Sequence, residues 1–409
     1  MGSGAASAAP LVTLRPAGAT VPAVRIVVTG LIATYPVGGV TWDYLQYVHG
    51  LAALGHDVTY LEDTGQWVYS PRLETFVERA DENVAYLAGV LAGRAVPWAF
   101  RDPDGRMHGL DAGALARRCR DADLFLNVSG SCWLRDEYRG RGVHAYVDTD
   151  PCYSQAKLAA AAAGTADARV RESAAMIRAH DVFFSFAESL GREGCVIPAV
   201  GLRWHPTRHP IVLADWPVER APVDAPFTTV MSWKIDVTPP ALDGRVYGGK
   251  DVEFARVVSL PTRTAVRLEV ALSGAAPRPQ LTAAGWRLRD AREVSATPEA
   301  YRRYLAASRG ELSVAKEAYV ATRSGWFSSR SASYLAMGRP VVIQDTGLAA
   351  HYPLGGAILP FADLDGAVAA LAEVQHDYDR RCREARTIAA EAFGADRVLV
   401  RLLADAGCR

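Results

Sequence analysis

Between Arg323 and Gly347 the chain reads RSGWFSSRSASYLAMGRPVVIQDTG: a polar turn holding a glycine, a short run with one apolar face, then a β-branched run ending at Asp345. This order predicts a turn, a helix and a buried strand. Ser328 or Ser329 stands where a helix N-cap belongs, and Gly338-Arg339-Pro340 stops the helix before Val341 opens the strand. A helix that starts in such a turn aims its free N–H groups and the positive end of its dipole at whatever lies ahead, which suits a phosphate. Arg323 and Arg330 add two guanidinium forks that match a diphosphate bidentately.

The chain has 409 residues, beyond the size at which one apolar core keeps growing, so two domains are the starting expectation. Its 45 basic and 45 acidic residues cancel without blocks of like charge, which argues against nucleic acid or an anionic membrane surface as partner. Only Lys157, Lys234, Lys250 and Lys316 are lysine; the other 41 basic residues are arginine. In a chain so biased, a retained lysine points to a place where a compact ammonium is wanted. Lys250, in Tyr247-Gly-Gly-Lys-Asp251, is the strongest case, because a glycine pair lets the backbone approach a phosphate; a surface lysine in a glycine turn is the alternative. Six scattered cysteines without metal-ligand spacing fit free thiols in a cytoplasm. Residues 1–23 have no basic start and no sustained apolar run, and read as a disordered lead. No window reaches the roughly 18 apolar residues that span a bilayer.

Along the chain, a strand over 24–29, a loop with Gly38 and Gly39, a helix over 42–54 and a strand over 56–61 make a β-loop-α-β unit. Helices over 71–91 and 112–120, strands over 122–128 and 143–148, a helix over 156–180 and a strand over 182–186 continue it. Residues 24–215 therefore read as one parallel-sheet domain and 216–226 as a proline-rich linker. Residues 227–390 form a second domain of the same kind, with strands at 228–233, 266–272 and 313–316 and a helix over 298–307; 391–409 is a C-terminal helix. The fold class is α/β: two Rossmann-like domains facing each other across a cleft. In open sheets of this type, ligands bind beyond the carboxyl ends of the strands.

Two motifs carry a family resemblance. Tyr35-Pro-Val-Gly-Gly39 followed by Leu54-Gly-His-Asp-Val58, and Tyr334-Leu-Ala-Met-Gly-Arg-Pro-Val-Val342, resemble the opening of the acceptor domain and the signature of the donor domain of GT-B glycosyltransferases, over residues 25–403. The Ser-Gly-Trp-Phe-Ser-x-Arg-Ser stretch is similar to that of a bacterial group of glycosyltransferase-like proteins. The resemblance implies a nucleoside-diphosphate sugar as donor substrate, no cofactor, and a small-molecule acceptor bound by the first domain. Where many retaining members carry two glutamates, this chain has Gly325 and Ser333; where many inverting members carry a histidine after the first strand, none stands between Gly30 and Tyr47. Stereochemistry and oligomeric state are left open.

Transfer to a hydroxyl needs charge stabilisation on the leaving diphosphate, a fixed donor sugar and, for inversion, a base. For the diphosphate the candidates are Lys250, Arg330 and the amides at Ser328 and Ser329, with Arg323 in support, which would make a metal unnecessary. Asp345 and Thr346 are placed to read sugar hydroxyls, or else to form a turn; Gly325, Trp326 and Phe327 shape the pocket, or else the aromatic pair is a packing staple. Gly38 and Gly39 lie in the acceptor loop. Four carboxylates compete for the base: Asp150 first, then Asp148, Glu188 and Asp43. Each would need a pKa raised by partial burial. An epimerase acting on a nucleotide sugar, or a non-catalytic partner that binds a nucleotide or glycan, are the alternatives.

Overall fold

A computed structural model describes residues 23–234 and 238–408; the disordered lead expected over 1–23 lies almost wholly outside them. The first sheet has eight strands in the order 204–206, 182–185, 143–148, 124–128, 25–29, 57–62, 98–101 and 107–109. All pairs are parallel except the last, between Trp98–Arg101 and Met107–Gly109. Strand Leu124–Val128 is buried at every position, as expected of a parallel strand covered by helices on both faces. The second sheet is wholly parallel, in the order 287–290, 268–273, 227–232, 310–313, 341–344 and 358–361. The strand order turns back beside 25–29 in the first sheet and between 227–232 and 310–313 in the second. These switch points are where such sheets leave a crevice.

Several local expectations shift for identifiable reasons. The single helix expected over 156–180 is two, Tyr153–Ala162 and Ala168–Arg178. Gly164, at φ +73°, ends the first, and Asp167 starts the second by accepting from Val170 N at 2.7 Å. The first half of the helix expected over 71–91 is instead a hairpin of Val68–Ser70 and Thr75–Val77, and the helix occupies only Asp81–Leu91. Trp204–Pro206 adds an edge strand to the first sheet. The strand expected at 313–316 lies at Gly310–Ser313, which leaves Lys316 beyond its carboxyl end.

The chain finishes by returning to the first domain. Helix Ala395–Asp405 lies on helix Gly38–Ala53, so closely that a Cβ on Gly50 would sit 2.5 Å from Leu399 Cδ1. Trp42 donates its indole N–H to Pro298 O of the second domain at 2.8 Å and packs on Trp216 of the linker at 4.8 Å between centroids. The carboxyl ends of the two sheets face each other, since Asp150, just past strand Val143–Asp148, meets Lys316, just past strand Gly310–Ser313, at 2.6 Å.

Arg339, expected only as part of the helix stop, is 2% exposed and donates to four carbonyls: Ser308, Glu219, Met337 and Ala306. It ties the linker to the second domain. Arg339→Met is expected to leave those oxygens unpaired and to cost about 3 kcal/mol, seen as a lower urea midpoint at an unchanged slope.

Candidate active site

Helix Ser329–Ala336 starts at the second domain's switch point. The turn ahead of it is shaped by Gly325, at φ +75°, whose N–H donates to Thr346 O at 2.8 Å, while Thr346 Oγ1 donates to Trp326 O at 2.7 Å. A side chain at 325 would meet Ser189 Oγ at 2.7 Å, so the turn closes only with glycine there. Ser328 is the N-cap by position but its hydroxyl caps nothing. The first helical bond runs from Ala332 N to Ser328 O, and among the described residues no acceptor takes the amides of Ser329, Arg330 and Ser331. Three N–H groups and the dipole's positive end therefore point into the cleft.

Lys250 begins helix Lys250–Ala255, after a glycine pair held by Glu317 Oε2, which accepts from Gly248 N at 2.6 Å. Among the described residues no side chain pairs with its ammonium. Burial and the positive charges of Arg330 and Lys316 push its pKa down to about 7, against the pull of Glu311 and Asp150. An unpaired ammonium among other cations is short of an anion.

Arg330 reaches between the two central strands of its sheet. Its Nε donates to Glu311 Oε1 at 2.5 Å, and its other nitrogens to Val230 O at 2.6 Å and Ser313 Oγ at 3.2 Å. Burial opposes its charge, but Glu311, with Tyr301 and Tyr334, together outweigh burial and raise its pKa. Its fork is not open to a diphosphate as expected; three nitrogens are taken and what it offers the cleft is mainly its field. Arg323 departs further. It is exposed, at φ +50°, with its side chain beside Gly194, and adds nothing to this cluster.

Opposite this cradle, helix Gly38–Ala53 of the first domain presents Asp43, half-buried at the junction of the domains. Ser329 hydrogen-bonds its carboxylate. Burial raises its pKa to about 7; the Ser329 bond, Arg330 and Lys250 restrain the rise, and Asp150 adds to it. The loop before this helix is fixed from below by Glu62, which accepts from Ala33 N and Tyr60 Oη, both at 2.8 Å. Asp150 reaches the same cleft from the end of strand Val143–Asp148. Its Oδ1 accepts from Lys316 Nζ at 2.6 Å and from the Tyr319 hydroxyl. Enclosure between the domains acts to raise its pKa, but Lys316, Tyr319 and Lys250 outweigh that and hold it below the ordinary range. With 57% of the side chain exposed, water screens the enclosure.

No protein-family model matches the sequence, and no curated protein does. Among solved structures, sucrose-phosphate synthase from Thermosynechococcus elongatus is 13% identical with a TM-score of 0.52, over 92% of this chain and 96% of that one. HepE of Anabaena, in complex with UDP and glucose, is 11% identical with a TM-score of 0.52, over 93% and 99%. The chain has a GT-B glycosyltransferase-like fold.

Within this GT-B frame several expected site residues serve the architecture instead. Asp148 is 2% exposed, its oxygens taken by Ser154 Oγ, Gln155 Nε2 and Ser185 Oγ at 2.8–2.9 Å. Burial raises its pKa to about 6, but it has no access to a substrate. Glu188 is clamped by both arms of Arg208 at 2.8 Å and by the Tyr352 hydroxyl. It joins the domains on the far side of the Gly325 turn. Asp345 Oδ1 accepts from Gly347 N and Leu348 N, so the turn alternative holds, and Thr346 braces the loop. Phe327 is buried between Tyr352 and Phe393 as a packing staple, whereas Trp326 stays half-buried over Tyr319 and donates to Thr149 O of the first domain at 3.2 Å. Gly38 N and Gly39 N donate to Ser295 O at 2.6 Å and Ser295 Oγ at 3.0 Å. Those amides hold the domains together and are not free for an acceptor.

The cluster that converges is Lys250, Lys316, Arg330, Ser329, Asp43 and Asp150. Lys316 and Tyr319 were not expected there. The scarcity of lysine was a usable signal for Lys316, but placing it inside a strand hid it.

Proposed function

We propose that the chain is a glycosyltransferase that moves a sugar from a nucleoside-diphosphate sugar to a small-molecule acceptor, without a metal. The carrying observation is that, among the described residues, the ammonium of Lys250 and three amides beside it at a sheet switch point have no partner and face Asp43 across the cleft. Amides and ammonium act as fixed donors to the charge that grows on the leaving diphosphate. Asp43, with a pKa near operating pH, is the better base than Asp150, because a carboxylate held below the ordinary range by a lysine is a weak proton acceptor. As Asp43 takes the acceptor hydroxyl's proton, that oxygen bonds to the anomeric carbon and the carbon–oxygen bond to the diphosphate breaks.

HepE's complexes with UDP and with UDP-glucose put uridine nucleotides first among donors to try. A ligand at 100 times its Kd adds about 2.7 kcal/mol to the folded state. One of the UDP-, GDP- or dTDP-sugars is therefore expected to raise the melting temperature by several degrees and to be hydrolysed slowly to free sugar. No shift with any of them would sink the proposal.

A second reading draws on Asp43 and Asp150 sharing one cleft with pKa values pushed apart, which is what an epimerase uses as acid and base. Release of nucleotide with an altered sugar, in place of the original sugar, would favour it.

A further inference from the structure

We propose that Lys316 is a ligand of the donor's diphosphate, and that Asp150, from the opposite domain, occupies its ammonium until the donor arrives. The inference rests on the nucleotide-sugar reading of the cleft. Arg330 and Lys316 both bear on Lys250, so the three cations line one cleft. Among the described residues, Glu311 and Asp150 pair with them directly. Glu311 is wholly buried on Arg330 and stays there, which leaves Asp150 as the exchangeable anion.

The pair is built asymmetrically. The Lys316 side chain is 13% exposed, its ammonium 4.6 Å from the ring centre of Tyr153 and 5.3 Å from that of Tyr319, so packing and cation–π contact fix it. Asp150 is 57% exposed, and its second oxygen has no partner among the described residues. The lysine is the fixed half and the aspartate the wet, movable half. A diphosphate brings more charge and more acceptor oxygens than one carboxylate, and it also meets Lys250 and the free amides at the same time. It therefore displaces Asp150 from Lys316, while Tyr319 keeps a hydroxyl free to follow either anion. Asp150 acts through Lys316 and is a positioning residue, without a role in bond making.

The test is calorimetric titration of the full chain with UDP, GDP and dTDP in turn, comparing the unaltered protein, Asp150→Asn, Lys316→Met and the double variant. Asparagine keeps the shape and the acceptor for Tyr319 while removing the competing charge. Asp150→Asn is expected to tighten the best nucleotide about threefold, as befits an exposed ion pair. Lys316→Met is expected to weaken it about tenfold, as befits one charge-assisted bond. The double variant should match Lys316→Met, because the aspartate's effect passes through the lysine. Weaker or unchanged binding in Asp150→Asn, or a double variant that binds like Asp150→Asn alone, overturns the inference while leaving the donor site standing. If the unaltered protein binds none of the three nucleotides, the reading of the cleft falls, and this inference with it.

Discussion

Asp43→Asn is expected to lower kcat by about a hundredfold to ten-thousandfold, the range a positioned general base contributes. Nucleotide binding should change little. In the unaltered protein the carboxylate must be deprotonated to act, so with a pKa of about 7 the rate should fall roughly tenfold per pH unit on the acid side. That limb should vanish in whatever activity the asparagine variant retains. Ser329→Ala removes the bond that favours the charged form, so it should move the limb to higher pH. Ser329 is the first residue of its helix and not the N-cap, which is Ser328, so the second variant removes no cap. Stability gives an independent sign. A carboxyl whose pKa rises from 3.8 to about 7 on folding binds protons more tightly in the native state. Its contribution is therefore present at low pH and lost as pH rises from 4 through 7. Asp43→Asn should then be more stable than the parent at pH 8 by about 2 kcal/mol, allowing for partial contact with water, and indistinguishable at pH 4. An unchanged acid limb in the variant would place the base elsewhere.

The frame of the molecule was legible because parallel sheets write themselves in runs of buried residues between glycine-marked helices. The segments 25–29, 124–128, 143–148 and 341–344 fall where such runs stand. The turn–helix–strand over 323–344 was legible for the same reason, since its glycines and proline mark both helix ends. The hairpin at 68–77 was not, because the short β-branched run Thr75–Val77 sits in a stretch whose spacing also suits a helix. Site chemistry was harder. A strand-end carboxylate looks the same in sequence whether it faces the cleft or the interior. Asp148 and Asp150 are two residues apart, yet one is locked by Ser154, Gln155 and Ser185 while the other meets Lys316 across the domain boundary. Asp43 showed only as a helix-start aspartate, because the burial at the domain junction that raises its pKa, and Ser329 that restrains the rise from more than 280 residues away in sequence, leave no local mark. The amides of Gly38 and Gly39 carry the same lesson: their partner, Ser295, belongs to the other domain.

Lys250→Ala is expected to reduce both turnover and donor binding, with the larger loss in turnover. Its ammonium has no partner among the described residues, and its pKa is driven down to about 7 by burial and by Arg330 and Lys316, so near neutral pH it is only partly charged. A bound diphosphate supplies the missing anion and restores the charge. Donor binding should therefore draw a proton from solution, visible in calorimetry as a heat that scales with the buffer's ionisation enthalpy, and absent in the alanine variant. The ground state gains one charge-assisted bond, and its removal should weaken the donor about tenfold. Charge on the bridging oxygen grows as the sugar departs, so the same ammonium matters more in the transition state, and kcat should fall a further hundredfold or so. Arg330→Ala is a poorer probe, since it strands the buried Glu311 and damages folding before it reports on catalysis. Lys250→Arg separates charge from shape. The guanidinium stays protonated at pH 7, so it should recover donor binding without the proton uptake, and recover turnover only in part, because a planar fork cannot follow the departing oxygen as a compact ammonium does. Full turnover in Lys250→Ala would show that the amides of Ser329, Arg330 and Ser331 suffice alone.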